Sequence, residues 1–472
     1  MGPATHFGET DVLPEIDASI FRAYDVRGLV GENLTPEIVH AIGCAFGTEL
    51  RERSNNHSVA IGRDGRESSL GYLVALAEGL RQSGIDVIDL GLIPTPLVHY
   101  GALKQNAGAA VVVTGSHNPS SYNGLKFAIG HLPFSGKALL SLHDRVVRRN
   151  FRSGEGSLRN YDVLDEYVDE VASQIHLEKP LKVVIDCGNG ASGVLSRKLF
   201  EAIGCDVYVL YEEVDSTFPN HHPDPAVPAN LIDLRKAVVE HHADAGLAFD
   251  GDGDRVGVVT EKGENVWSDR LLALFARDVL SRQPGSTVVF DVKCGVSVRE
   301  TVVESGGVPF VSATGHTNIK QRVCQHNAML GGEFSGHFCF PDRWYAIDDA
   351  AYAGTRFLEL VSKASKASEL FKDIVQRPAT PEILIPVEDN RKFEIIKHLT
   401  RCASIDDGTA DNTDGIRIDF EDGWGLVRAS NTSPKLSLRF EAETGPALSR
   451  IKCLFKRELE RIAPDLSLKD WL

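Results

Sequence analysis

Val183-Val-Ile-Asp-Cys-Gly-Asn-Gly190 carries an apolar run straight into a polar turn punctuated by glycine, and the chain repeats this pattern twice more. The sister copies are Val59-Ala-Ile-Gly-Arg-Asp-Gly65 and Val288-Val-Phe-Asp-Val-Lys-Cys-Gly295. Helical periodicity follows each one, over 72–81, 194–203 and 298–304, and stops at Gly84, Gly204 or Gly306. Glycine is the residue that adopts the left-handed C-terminal cap most readily. A second short strand comes next in every copy: Ile85-Asp-Val-Ile88, Cys205-Asp-Val-Tyr-Val209 and Val308-Pro-Phe-Val311. A third apolar run then leads into a polar loop. Ala109-Ala-Val-Val-Val113 precedes Thr114-Gly-Ser-His-Asn-Pro119, and Ala245-Gly-Leu-Ala-Phe249 precedes Asp250-Gly-Asp-Gly-Asp-Arg255. Ala328-Met-Leu330 precedes Gly331-Gly-Glu-Phe-Ser-Gly-His337.

Strand and helix in alternation predict βαβ units and a layered α/β architecture. In such sheets ligands bind beyond the carboxyl ends of the strands, which is where the three polar loops fall. Pro378, Pro381 and Pro386 mark a boundary. Beyond it the pattern becomes a smaller α+β unit, with strands at 382–385, 415–418 and 436–440 and helices over 393–401 and 446–462. The predicted fold is three homologous α/β domains with mixed or parallel sheets, 1–161, 162–264 and 265–377, and an α+β domain over 378–472.

The 472 residues are 42% hydrophobic and 25% charged, the composition of a globular chain. Fifty Lys and Arg against sixty-six Asp and Glu leave a net charge of −16, which disfavours nucleic acid and anionic membrane as partners. A phosphate ligand must then be held by a local cluster of cations. No apolar run approaches the roughly 18 residues of a membrane span. No secretory signal is visible, and eight scattered cysteines without a CxxC pair read as reduced thiols, so a cytoplasmic location is expected.

Asp250, Asp252 and Asp254 alternate with glycine, so three carboxylates can turn toward one hard divalent cation. An EF-hand would need glycine where Arg255 stands, and its flanks would read as helices. A calcium-binding or regulatory protein without catalysis is the alternative from a different class. A haloacid-dehalogenase-type phosphatase would use Asp250 as nucleophile and Asp252 as acid. Ser116, with His117, Asn118 and Lys126 nearby, suits a hydroxyl that accepts and returns a phosphoryl group. Gly188-Asn-Gly-Ala-Ser-Gly193 matches GxGxxG, with Glu212 at a dinucleotide-like distance, yet tight strand-to-helix packing explains its glycines equally well. No Walker A sequence is present. Arg428-Ala-Ser-Asn-Thr-Ser433 has the composition of a phosphate cradle.

These loops in this order, together with Ser19-Ile-Phe-Arg-Ala-Tyr-Asp-Val-Arg-Gly28, resemble the α-D-phosphohexomutase superfamily, and within it the bacterial phosphomannomutase/phosphoglucomutase group. The resemblance spans essentially the whole chain. It implies a TATA-binding-protein-like fourth domain and a heart-shaped monomer around a central cleft, over which that domain closes. It also implies interconversion of hexose 1-phosphate and hexose 6-phosphate through a phosphoserine and a hexose 1,6-bisphosphate. Ser116 would carry the phosphate and, with Asp250, Asp252 and Asp254, hold Mg²⁺. Arg27, Lys126 and Arg255 would stabilise the transferring group, and His117, Lys126, His316 and His337 are the general acid/base candidates. Tyr24, Lys293, His316 and His337 would contact the phosphosugar. Glu333 and Ser335 would read ring hydroxyls, while Arg428, Ser430, Asn431 and Thr432 grip the distal phosphate. Phe334 departs from the Met or Gln of relatives, which bears on sugar choice and keeps a phosphoglucosamine mutase as an alternative.

Overall fold

The structure, a computed structural model, describes residues 16–402, 408–431, 433–466 and 468. The described chain forms two compact units, residues up to 267 with 335–370, and residues 268–334 with 371 onward. Thr432 lies outside the described residues.

The first unit holds two sheets. In one, the strands run in the order Val26–Leu29, Tyr122–Ile129, Ala109–Val113, Ser58–Arg63, Asp86–Leu92, Leu158–Asn160, with Leu132–Pro133 paired to Tyr122–Ile129. The second runs Asn265–Val266, Val256–Thr260, Ala245–Phe249, Lys182–Asp186, Asp206–Leu210. In the second unit, Val308–Ser312, Thr287–Asp291 and Leu330–Gly332 lie side by side and parallel. The threefold repeat is visible in the register. Val59, Val183 and Val288 face Val87, Val207 and Pro309 on one side. On the other side they face Ala109, Ala245 and Leu330. Gly84, Gly204 and Gly306 have φ of 81°, 94° and 74°, the left-handed caps that the sequence predicted.

The sheets are mixed because each polar loop in the first unit turns back into an antiparallel strand. Tyr122–Ile129 returns along Ala109–Val113, and Val256–Thr260 returns along Ala245–Phe249. These returns are nearly wholly buried, so one chain segment leaves the sheet at its carboxyl edge and the next re-enters there.

The last region is an antiparallel sheet in the order Ile383–Pro386, Lys435–Ala442, Gly423–Ala429, Ile416–Phe420, Thr409–Asp411, with helices Asp389–Cys402 and Gly445–Ile462 packed on it. The strands Gly423–Ala429 and Thr409–Asp411 escape the pattern reading: the first is interrupted by glycine and the second is only three residues long. The first helix also begins four residues before the expected start, because Asp389 opens its first turn. Among the described residues no helix is long and apolar enough to cross a membrane.

The helix Ala350–Lys363 packs on the Ala245–Phe249 sheet, where a Cβ on Gly354 would lie 2.9 Å from Leu247 Cδ1. Asp349 caps it, accepting from the Tyr352 amide at 3.0 Å, and also accepts from Tyr167 Oη at 2.9 Å and Trp344 Nε1 at 3.1 Å. Burial raises the Asp349 carboxyl to about 6 even though these donors favour its charged form. A folded-state value above the unfolded one means that stability from this group is full below about pH 4 and is lost as the pH rises through 6. Urea unfolding of wild type and Asp349→Asn is expected to show the wild-type advantage shrinking by about 2 kcal/mol between pH 4 and pH 7. A difference that is flat across that range contradicts the assignment.

Candidate active site

Two loops of the first unit meet at the carboxyl ends of their strands. One follows Ala109–Val113 and carries Ser116; the other follows Ala245–Phe249 and carries the three aspartates. The glycines between the aspartates have separate jobs. Gly253 takes φ +75°, and a Cβ on Gly251 would stand 2.5 Å from the Ser116 carbonyl oxygen. The loops can touch only because that Cβ is missing.

Asp250, Asp252 and Asp254 are buried, and one carboxylate oxygen of each lies within 4.8 Å of the others. Burying like charges together is costly unless cations are supplied. Lys126 Nζ donates to Asp252 Oδ2 at 2.7 Å and to Asp254 Oδ2 at 2.6 Å. It reaches them from the returning strand, where it faces Val112. Burial pulls this ammonium down, but the charges of Asp252, Asp254 and Asp250 outweigh it and hold Lys126 protonated. Thr95 adds a hydroxyl to Asp252 Oδ2 at 2.6 Å and an amide to the Asp252 carbonyl at 2.8 Å.

Asp250 Oδ1 accepts from the amides of Asp254 and Arg255 at 3.0 and 3.2 Å, and Oδ2 lies 3.2 Å from Ser116 Oγ. Burial, then Asp254 and Asp252, push the Asp250 carboxyl well up. Among the described residues Lys126 and Arg255, whose Nε lies 3.9 Å from Asp250 Oδ2, bring two positive charges to three carboxylates, and Asp252 Oδ1 is buried with no hydrogen-bond partner. An all-oxygen donor set with excess negative charge and an unused buried oxygen fits a hard divalent cation.

Arg255 organises the other side. Its Nη2 donates to His117 Nδ1 at 2.6 Å and its Nε to His337 Nε2 at 3.2 Å. Its Nη1 lies 3.8 Å from Asp224. A guanidinium only donates, so His117 Nδ1 and His337 Nε2 must be lone-pair acceptors, which assigns both tautomers. His337 then carries its proton on Nδ1, 3.7 Å from Asp254 Oδ1. Burial, then Arg255 and Arg27, hold His117 well below the usual imidazole value, so it is neutral. Its Nδ1 also lies 3.2 Å from Ser116 Oγ. Arg27 pairs with Asp25 and donates to the Gly115 carbonyl at 3.0 Å and to Asn118 Oδ1 at 2.9 Å.

Ser116, His117, Lys126, Arg27, Arg255, His337 and the three aspartates therefore share one network. Tyr24 and Ser335 are half-buried residues of the same unit. The GxGxxG turn has a local explanation: a Cβ on Gly190 would lie 2.8 Å from the Gly251 carbonyl, and one on Gly193 2.0 Å from that of Glu212. Glu212 is taken by Arg197 in a two-pronged ion pair. The dinucleotide reading thereby loses its acidic residue.

A second set of predicted residues sits in the second unit. Arg428 is buried near the end of the strand Gly423–Ala429, and its Nε donates to Asp414 Oδ2 at 2.7 Å. Asp414 Oδ2 also accepts from the Thr314 amide at 3.0 Å, beside Gly315 and His316 at the start of the helix His316–Gln325. Glu333 Oε1 accepts from the Gly315 amide at 2.6 Å. Lys293 Nζ lies 3.5 Å from Glu382, which Lys293 keeps ionised against the penalty of burial. Ser430 Oγ lies 2.9 Å from Ser433 Oγ, next to Asn431. The Phe334 ring is buried with the Arg439 guanidinium carbon 3.6 Å from its centroid. The aromatic ring at that position is matched to a cation. Sequence reading missed Thr95, Asp224, Asp414, Glu382 and Arg439, because each is an ordinary residue type that acts through a distant partner.

Four domain descriptions of phosphoglucomutase/phosphomannomutase match in order: α/β/α domain I over residues 18–148, II over 165–263, III over 267–377, and the C-terminal domain over 382–456. The chain belongs to the phosphoglucomutase/phosphomannomutase family. It is 46% identical to the phosphomannomutase/phosphoglucomutase of Pseudomonas syringae over 97% of this chain and 98% of that one. It is 41% identical to a phosphoglucomutase of Neisseria meningitidis, over 95% and 98%. The crystal structure of a phosphoglucomutase/phosphomannomutase family protein from Burkholderia thailandensis superposes with a TM-score of 0.91 at 41% identity, covering 96% of this chain and 99% of that one. Membership of this family disfavours the aspartate-nucleophile phosphatase.

Within this family site, the Gly251 contact can be tested. Gly251→Ala forces the Ser116 loop to move, and the expected cost is about 1–3 kcal/mol in unfolding free energy with a large loss of turnover. Wild-type melting and turnover in that variant would show that the two loops do not need this approach.

Proposed function

We propose that this protein reversibly interconverts hexose 1-phosphate and hexose 6-phosphate, of mannose, glucose or both, with Ser116 as the side chain that gives and receives the phosphoryl group. The observation that carries this reading is Ser116 Oγ at 3.2 Å from Asp250, beside the buried carboxylate cluster of Asp250, Asp252 and Asp254. The names of the relatives, which cover both sugars, support the substrate class.

In the proposed cycle, phosphoserine 116 transfers its group to the free hydroxyl of a hexose 1-phosphate, and the hydroxyl proton leaves as the new phosphoester forms. The product is a hexose 1,6-bisphosphate and a free Ser116. The bisphosphate turns over and returns its other phosphoryl group to Ser116, releasing hexose 6-phosphate. Asp250, Asp252, Asp254 and the Ser116 phosphate would hold Mg²⁺, which when bound supplies positive charge to the phosphoryl oxygens. Arg255, Arg27 and Lys126 would supply the rest of the stabilisation as charge spreads over the transferring group. Lys126, held protonated, serves as a cation or proton donor. His117, Lys126, His316 and His337 are the candidates for moving the proton; neutral His117 already spends its Nδ1 lone pair on Arg255 Nη2 at 2.6 Å.

Lys293 and His316 are taken to hold the sugar phosphate at its reacting end, and Arg428, Ser430, Asn431 and Thr432 the phosphate that is not reacting. Glu333 and Ser335 are taken to recognise hydroxyls common to both orientations of the bisphosphate. The protein is taken to act as a cytoplasmic monomer on small phosphosugars, without nucleic-acid or membrane partners.

Freshly purified protein should contain a fraction about 80 Da heavy that disappears on incubation with glucose 1-phosphate. Ser116→Ala should lose that fraction and at least about 10⁴-fold of turnover. Near-wild-type turnover in that variant overturns the proposal. Arg428→Ala should raise KM for both monophosphates by about 10- to 100-fold while Ser116 still becomes phosphorylated. Loss of the phosphoserine in that variant would mean that the role of Arg428 is wrongly assigned.

A further inference from the structure

We propose that Arg66 shapes the Ser116 loop for phosphoryl transfer, as a positioning residue and not as a phosphate ligand; this rests on the phosphoserine reading above. Arg66 follows the first glycine turn and is almost completely buried. Its Nε donates to Asp64 Oδ2 at 3.1 Å. Its Nη1 donates to the carbonyls of Pro119 and Tyr122 at 2.7 and 3.0 Å. Its Nη2 donates to those of Ser116 and Asn118 at 2.8 and 2.6 Å. A guanidinium has five N–H groups, and all five are used on protein acceptors. None is left for a substrate or for a phosphate on Ser116.

Four of these bonds gather the carbonyls of residues 116–122 around one planar cation, and the geometry at Ser116 shows what this achieves. Ser116 has φ of 48°, a left-handed conformation uncommon outside glycine, at the residue whose oxygen faces the aspartates. Such a conformation persists only when its surroundings over-determine it. Arg66 holds the Ser116 carbonyl, and Thr114 Oγ1 accepts from the Ser116 amide at 2.8 Å. Thr114 in turn donates to Asp64 Oδ2 at 2.9 Å, and the Gly115 amide donates to the same oxygen at 3.0 Å. Asp64 also takes the Arg66 amide at 3.1 Å. The backbone on both sides of the serine is therefore tied to one Asp–Arg pair, while its side chain points away to Asp250.

The surroundings leave no slack. A Cβ on Gly115 would lie 2.3 Å from Arg66 Nε, so glycine there lets the guanidinium slide beneath the loop. On the other side the Phe218 ring lies 5.4 Å from Arg66 Cζ, and Phe218 itself has φ of 48°, strained for a bulky residue. Val214 Cγ1 would stand 2.1 Å from a Cβ on Gly65. The 211–218 segment, which follows the strand Asp206–Leu210 of the other sheet, thus closes over the pair. Lysine cannot replace this arrangement, since its three donors spring from one point and cannot span four carbonyls in a plane.

The test compares full-length wild type, Arg66→Lys, Thr114→Val and Ser116→Ala. Each is mixed with glucose 1,6-bisphosphate, and the rate of the gain of about 80 Da on the Ser116 peptide is followed per folded molecule. Steady-state kcat and KM for glucose 1-phosphate are measured alongside. Arg66→Lys should load Ser116 and turn over about 100-fold more slowly with KM changed less than about 3-fold, and Thr114→Val should be slower by about 10-fold. A lowered melting temperature with loading within about 3-fold of wild type means that Arg66 only stabilises the fold, and overturns the proposal. If Arg66→Lys does not fold, Thr114→Val decides: loading at the wild-type rate overturns the proposal and the expected loss supports it. Wild type that never loads would sink the phosphoserine reading and this inference with it. Wild type that loads beside an unimpaired Arg66→Lys sinks this inference alone.

Discussion

Three carboxylates held out of water within 4.8 Å of one another are the constraint from which the rest of the first unit follows. Left alone, such a cluster would drive its members to bind protons, as the upward shift at Asp250 indicates. The chain answers with Lys126 from the returning strand and Arg255 directly after the loop, two cations for three anions. The remaining imbalance is useful. Such an imbalance suits a hard divalent cation, and Ser116 Oγ lies 3.2 Å from Asp250 Oδ2 at its edge.

The antiparallel returns make this neutralisation possible. A purely parallel sheet would send the chain away from the carboxyl edge into a helix after each strand. Here the Ala109–Val113 strand is followed by a return that brings Lys126 back opposite Val112. The Ala245–Phe249 strand likewise returns through Arg255, whose amide helps to hold Asp250. Each loop thus delivers its carboxylates or its serine hydroxyl and its own cation within a dozen residues. The sheet fixes their separation better than a flexible loop could.

Much of this was legible in the sequence because it rests on local pattern. The three strand–turn–helix phrases were readable from apolar runs and capping glycines, and the paired positions of Val59, Val183 and Val288 bear out the repeat. The aspartate loop was readable because its glycines and carboxylates alternate. What escaped is chemistry done by common residues at long range. Asp64 and Arg66 stand inside a quoted turn or next to it, yet nothing local says that a guanidinium will collect carbonyls from residues 116–122. Asp414 looks like a surface acid until Arg428 and the Thr314 amide both turn out to bind it. The strand Gly423–Ala429 was hidden by its glycines, although a Cβ on Gly425 would meet Phe455 at 2.4 Å and so only glycine fits there.

In the proposed cycle the phosphoryl group arriving on the sugar comes from the protein. The most direct test is a single turnover of protein carrying ³²P on Ser116, mixed with a slight excess of unlabelled glucose 1-phosphate and quenched. The label is expected to move to the sugar, first as glucose 1,6-bisphosphate and then as glucose 6-phosphate. Label that stays on the protein, or appears only as inorganic phosphate while unlabelled glucose 6-phosphate accumulates, would contradict the proposed cycle.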